Sequence, residues 1–209
     1  MYDLIQSGKR RRMKRVGLLL GSFNPLTNAH VALAKGAVKH GVVDESWFVL
    51  SPANPAKVNK KVLADEESRR DMMREFLKQE NDDTLLLCDI EYDLPRPSYT
   101  DKTLGVLKKK YPDIDFYIVC GSDTLAKILT WRTGTKVLKE NKFICHLRVG
   151  TKDHVWSDEV KARTSFVDFG IPELSSTQVR ENIFDDQSYK DLVPKSISDY
   201  IEQHSLYLT

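Results

Sequence analysis

Only three cysteines occur in the 209 residues. Cys88, Cys120 and Cys145 stand far apart, each inside an apolar run, and no Cys-x-x-Cys pair exists. That excludes a zinc cluster or a disulfide framework and marks the three as reduced core residues of an intracellular protein. Long hydrophobic runs are missing too. No stretch approaches the roughly 20 apolar residues of a membrane span, and Leu18-Leu19-Leu20 runs straight into Gly21, too short for a secretory signal. The expectation is a soluble, cytoplasmic protein with no membrane partner. Excess charge is also small, at +2. Lys9, Arg10, Arg11, Arg12, Lys14 and Arg15 hold six positive charges, and removing them from the net leaves −4. So mildly acidic a body lacks a broad nucleic-acid footprint. The basic run reads as a solvated tail over residues 1–15, with a nuclear address (if the source is eukaryotic) or a polyanion-binding arm as alternatives. Repeats, low-complexity blocks and linkers are absent. The remainder, residues 16–209, reads as a single domain, and its apolar content suffices for one buried core.

What the chain has is alternation. Short apolar runs at Val16–Leu20, Trp47–Ser51, Thr84–Ile90, Phe116–Cys120, Lys142–Val149 and Ser165–Phe169 read as strands. Between them, Val31, Ala34 and Val38, then Met72, Met73, Phe76 and Leu77, then Leu104, Leu107 and Tyr111 recur at helical spacing. Strands apolar on both faces and separated by helices predict an α/β fold, a Rossmann-like doubly wound parallel sheet of about six strands. A C-terminal helical segment follows Pro194, with Ile197, Tyr200 and Ile201 on one face. Right-handed crossovers place every strand's C-terminus, and the loop after it, along one edge of the sheet. Ser51–Val62, with two prolines and three lysines, reads as the mobile loop.

Along that edge lies Gly21-Ser22-Phe23-Asn24-Pro25-Leu26-Thr27-Asn28-Ala29-His30. A buried strand stops at a small residue, turns through a proline and restarts as a helix carrying a histidine in its first turn. Backbone N–H groups, the Ser22 hydroxyl and the His30 imidazole then converge on one point suited to phosphate. Near the other end, Leu174-Ser175-Ser176-Thr177-Gln178-Val179-Arg180 supplies a second helix N-terminus. An ordinary N-cap would account for one of its three consecutive hydroxyls, and Gly121-Ser122-Asp123 forms a third turn on the same edge. The first segment lacks the Gly-Lys-Ser/Thr ending of a P-loop and the third glycine of the dinucleotide fingerprint.

The first segment resembles the Gly-x-Phe-x-Pro-x-(His/Thr)-x-x-His signature of the nucleotidyltransferase superfamily, and Leu174 to Arg180 resembles its partner motif. Ser51-Pro52-Ala53-Asn54-Pro55-Ala56-Lys57, Ser68-Arg69-Arg70-Asp71-Met72, Pro97-Ser98-Tyr99-Thr100-Asp101-Lys102-Thr103-Leu104 and Leu129-Thr130-Trp131 are similar to segments of nicotinamide and nicotinate mononucleotide adenylyltransferases. So is the C-terminal stretch from Leu192 to Tyr207. The resemblance covers residues 16 to 207.

It implies adenylyl transfer from ATP to a pyridine mononucleotide, giving NAD or deamido-NAD and pyrophosphate, with Mg²⁺ held by ATP phosphates and water rather than by protein ligands. ATP is assigned to Gly21, Ser22, Phe23, Thr27, His30, Gly121, Asp123, Ser176, Thr177 and Arg180. His30 donates to phosphate as charge builds, Arg180 forks onto the β- and γ-phosphates, and Asp123 accepts from a ribose hydroxyl. Thr27 stands where many relatives carry a first histidine; its hydroxyl can bond phosphate without carrying charge. The mononucleotide is assigned to Ser22, Asn24, Lys57, Tyr99, Thr100, Thr103 and Trp131, with Trp131 stacking on the pyridine ring; Lys60 and Lys61 lie close enough to share the role of Lys57. His146 and His154 read as structural. Amide and acid mononucleotides both stay open, and a homo-oligomer is allowed. The alternatives are a sibling transferase acting on phosphopantetheine or another phosphorylated acceptor, and a nucleotide-binding regulator without turnover.

Overall fold

The six apolar runs become six parallel strands. The protein is seen in a computed structural model that describes residues 12–52, 64–148, 150 and 155–208. The strands are β1 (Lys14–Gly21), β2 (Glu45–Leu50), β3 (Leu85–Cys88), β4 (Ile114–Gly121), β5 (Lys142–His146) and β6 (Thr164–Val167). They lie in the order β3-β2-β1-β4-β5-β6 with every pairing parallel. The winding reverses between β1 and β4, and such a reversal opens a crevice at the strands' carboxyl ends.

Consecutive residues in the strands face opposite layers. Leu19, Phe48, Val119 and Ile144 join one buried cluster; their neighbours Leu18, Val49, Ile118 and Phe143 join the other. Helices α1 (Asn28–Lys39), α2 (Glu66–Glu80), α7 (Ser176–Phe184) and α8 (Lys195–Gln203) cover the first layer. Helices α3 (Thr100–Lys110), α4 (Ser122–Lys127), α5 (Gly134–Glu140) and α6 (Asp158–Lys161) cover the second. Burial on both faces explains why the strands lack polar alternation.

Several boundaries move. Lys14 and Arg15, assigned by sequence to the tail, are the first two residues of β1. Their charges are not merely solvated. Arg12 and Arg15 pair with Asp44 at 2.6 and 3.1 Å, and Lys14 pairs with Glu45. Run-of-charge reasoning missed this because the partners lie about thirty positions away, at the start of β2. Ile90, expected at the end of β3, begins a short 3₁₀ turn. Helix α8 starts at Lys195 with Pro194 as its N-cap, and it ends at Gln203. Most of the Ser51–Val62 loop, with Lys57, Lys60 and Lys61, lies outside the described residues, as do Val149 and His154. All three cysteines are free. Among the described residues no helix is long and apolar enough to cross a membrane.

Candidate active site

The first turn is held from behind. Phe23 adopts φ +40°, a left-handed conformation unusual for a residue with a side chain. Its ring packs edge-on against Phe48 at 5.5 Å and His30 at 5.4 Å. Thr27 caps α1: its hydroxyl accepts from the His30 N–H, and the His30 ring answers by accepting from the Thr27 N–H at 3.1 Å through Nδ1. A main-chain N–H can only donate. Nδ1 is therefore the unprotonated nitrogen, and Nε2 carries the ring proton. The Thr27 hydroxyl lies 2.7 Å from the same Nδ1.

Helix α7 is docked onto this turn. Ser175, not Ser176 or Thr177, caps it, accepting from the Gln178 N–H at 3.1 Å. Ser176 Oγ instead donates to the Pro25 carbonyl at 2.8 Å. Arg180 donates through Nη1 to the Asn24 carbonyl at 2.7 Å and the Ser176 carbonyl at 3.0 Å, and through Nη2 to Thr177 Oγ1 at 3.2 Å. Burial lowers the pKa of its guanidinium. Segments more than 150 positions apart thus meet in direct hydrogen bonds.

Between them opens a cavity of about 690 Å³ lined by Phe23, His30, Gly121, Asp123, Ser176, Thr177 and Arg180. It sits where β1 and β4 separate. A Cβ on Gly121 would come within 2.6 Å of Asp123 Oδ1 and 2.9 Å of Arg148 Nε, so the glycine leaves room for that ion pair, whose atoms lie 3.1 Å apart.

Three residues assigned by sequence to ligands are occupied elsewhere. Thr27 is fully buried as the α1 cap and does not face the cavity. Asn24 is 1% exposed, its Oδ1 accepting from Ala64 N–H and the Tyr207 hydroxyl. Thr103 is fully buried and donates to Glu91 Oε1 at 2.8 Å. Ser22 is likewise buried.

The other residues assigned to the mononucleotide form a separate neighbourhood. Tyr99 precedes α3, which starts at Thr100 with no side-chain cap. The Arg132 guanidinium lies over the Tyr99 ring at 5.0 Å, and Thr133 Oγ1 is 3.1 Å from Asp101 Oδ1, so residues 131–133 and 99–101 adjoin. Trp131 packs partly against the second core layer. Glu91 Oε2 and Ser98 Oγ are buried beside this helix start with no hydrogen-bond partner among the described residues. His146 is buried and accepts the Phe169 N–H at 3.2 Å through Nδ1, a structural role.

Sequence reasoning assigned no role to Arg69, Arg148 or Tyr207. Arg69 is 1% exposed, and its guanidinium donates to the carbonyls of Ser22, Ser51, Pro52 and Ala64. The signal was available: Arg69 sits in the apolar stripe with Met72, Met73 and Phe76, where a charge must find partners. Arg148 and Tyr207 line the cavity. Nothing local distinguished either one.

An open parallel α/β sheet whose switch-point cavity is ringed by two helix N-termini, an imidazole and a guanidinium defines a nucleotidyl-transfer class of protein. The chain belongs to the cytidylyltransferase-like family, whose sequence model matches residues 18–182. Among curated relatives it is 30% identical to a probable nicotinate-nucleotide adenylyltransferase of Flavobacterium johnsoniae, over 92% of this chain and 98% of that one. It is 35% identical to the protein of that name from Bacteroides fragilis, over 80% and 81%. Among solved structures, nicotinic acid mononucleotide adenylyltransferase of Plasmodium falciparum complexed with NaAD shares the fold. The TM-score is 0.72 at 24% identity, over 93% of this chain and 97% of that one.

Proposed function

We propose that this protein transfers the adenylyl group of MgATP to nicotinate mononucleotide, forming deamido-NAD and pyrophosphate. An oxygen of the mononucleotide phosphate attacks the α-phosphorus in line, the bond from that phosphorus to the α,β-bridging oxygen breaks, and the β- and γ-phosphates leave together as pyrophosphate. The substrate brings its own nucleophile, so the protein has to position and to stabilise charge. His30 donates through Nε2–H to the oxygens on which charge grows. Arg180, seated through Nη1 on the Asn24 and Ser176 carbonyls, turns its Nη2 side to the β- and γ-phosphates, a charge-assisted contact. Asp123 receives the ribose. His30, Arg180 and the start of α7 give the cavity the donors an anion needs. Mg²⁺ therefore arrives as part of the substrate, neutralising phosphate charge and keeping its own waters.

The observation that carries this reading is the docking of Ser176 and Arg180 onto Pro25 and Asn24, which gathers both halves of the phosphate machinery around one cavity. The acid is favoured over the amide by the uncapped start of α3 beside Tyr99 and Thr100. The N–H groups of a first helical turn and the positive end of its dipole suit a carboxylate. The curated relatives named for nicotinate agree. Release of pyrophosphate should follow addition of ATP with the acid, and be at least about tenfold slower with the amide, one charge-assisted contact being lost. Release with neither mononucleotide would reject the reading, and release with phosphopantetheine alone would replace it with the sibling activity.

A further inference from the structure

We propose that Tyr207, near the C-terminal end, is a positioning residue for the triphosphate: its hydroxyl fixes the Asn24 turn, and through that turn the seat of Arg180. The inference rests on the cavity being the ATP site.

Tyr207 lines the same cavity as His30 and Arg180. Its hydroxyl donates to Asn24 Oδ1 at 2.9 Å, and the Ala64 N–H donates to the same oxygen at 3.0 Å. The main-chain donor settles which end of the Asn24 amide is oxygen, so the Tyr207 hydroxyl is the donor in its own bond. The carbonyl of that same residue takes Arg180 Nη1 at 2.7 Å. One buried asparagine therefore ties together the phosphate turn, the start of α2, helix α7 and the C-terminus.

Two further features indicate that this bond is imposed by the surrounding fold. Tyr207 has φ +68° and Phe23, beside Asn24, has φ +40°. Side-chain-bearing residues keep such conformations only where their surroundings over-determine them, and they concentrate at functional sites. Burial pushes the Tyr207 phenol well above its ordinary value, outweighing the lowering by the Arg180 and Arg69 guanidiniums, so the hydroxyl remains protonated and able to donate at neutral pH. If Tyr207 only sealed the core, its ring would suffice and its oxygen would be dispensable.

Tyr207→Phe removes that oxygen and keeps the ring. With the full chain, ATP binding measured by calorimetry should weaken roughly tenfold, the scale of a lost buried hydrogen bond. The KM for mononucleotide should stay near its wild-type value, and the unfolding temperature should fall only by the few degrees that one hydrogen bond is worth. In an Arg180→Lys background the same substitution should add nothing, because both changes act on one seat. ATP affinity within twofold of wild type, or an undiminished further loss in that background, overturns the proposal. Wild-type protein that binds ATP yet releases no pyrophosphate would defeat the proposed reaction alone, since the readout here is binding. Wild-type protein that binds no ATP would defeat both.

Discussion

At the scale of single residues, the histidine and threonine of the first turn form one unit. A capping box usually pairs a hydroxyl with a glutamate or glutamine three positions on; here His30 fills that place, and the cap reaches Nδ1 rather than a carboxylate. The same contacts that start α1 thereby select the imidazole tautomer whose proton is on Nε2. Replacing His30 by Ala should lower turnover by about 10²–10³, the effect of removing an oxyanion-type donor. A folded variant losing less than about tenfold would remove His30 from the chemistry. Thr27→Val keeps the size but loses the hydroxyl at Nδ1. Its turnover should fall by roughly tenfold, a weakened hydrogen bond's worth, while Thr27→Ser restores it. Equal rates in the Val and Ser variants would reduce Thr27 to an ordinary cap. Trp131→Ala tests the other substrate: if the indole stacks on the pyridine ring, the KM for mononucleotide rises and that for ATP does not. Parallel changes would assign Trp131 wholly to the core layer it partly touches.

At the scale of elements, α2 and α7 are brackets. Helix α7 divides its three hydroxyls among capping, docking onto Pro25 and holding Arg180. Helix α2 sends Arg69 inward to gather carbonyls from the ends of β1 and β2. A guanidinium suits that task because its five donors are fanned in a plane, which an ammonium cannot imitate. Arg69→Met would strand four carbonyls, three of them at buried contacts, and urea unfolding should show a loss of about 3–5 kcal/mol. Arg69→Lys should recover only part of it. A loss below about 1 kcal/mol would mean that the carbonyls find other donors.

These brackets also mark the limit of what sequence could tell. The strands, the covering helices and the two phosphate segments were legible because each is local: an apolar run, a 3.6-residue period, a turn ending in a helix start. The partners of Lys14, Arg15, Thr27, Asn24 and Thr103 were not legible, for one common reason. Their partners Asp44, Glu45, Tyr207 and Glu91 are set by the fold. For Thr27, His30 is near in sequence but was already assigned to phosphate. A polar residue inside a ligand motif looks the same on paper whether it faces the ligand or supports the residue that does.

For the whole molecule, the aspartates whose pKa the fold lowers are unevenly placed. Asp44 is held below its ordinary pKa chiefly by hydrogen bonds from Arg15, Asp65 by the Ser68 hydroxyl and backbone, and Asp82 by the Thr84 hydroxyl and backbone. All three belong to one half of the sheet: Asp44 precedes β2, Asp65 caps α2, and Asp82 precedes β3. A carboxyl whose folded pKa lies below its unfolded value of 3.8 stabilises the fold fully above that value. The contribution drains away as pH falls through the folded value, because the unfolded chain takes up the proton first. Solvent screens such pairs, so each is small. The neutral-pH stability should therefore be flat on their account, and the unfolding temperature should drop as the pH falls below the unfolded value of 3.8. Asp44→Asn removes one of the three titrations. Its unfolding temperature should start lower at neutral pH and fall less steeply on acidification, so that the two curves converge in acid. Curves that stay parallel throughout would show that Asp44 does not contribute to acid sensitivity. The burden would then fall on Asp65 and Asp82, the other two carboxyls whose pKa the fold lowers.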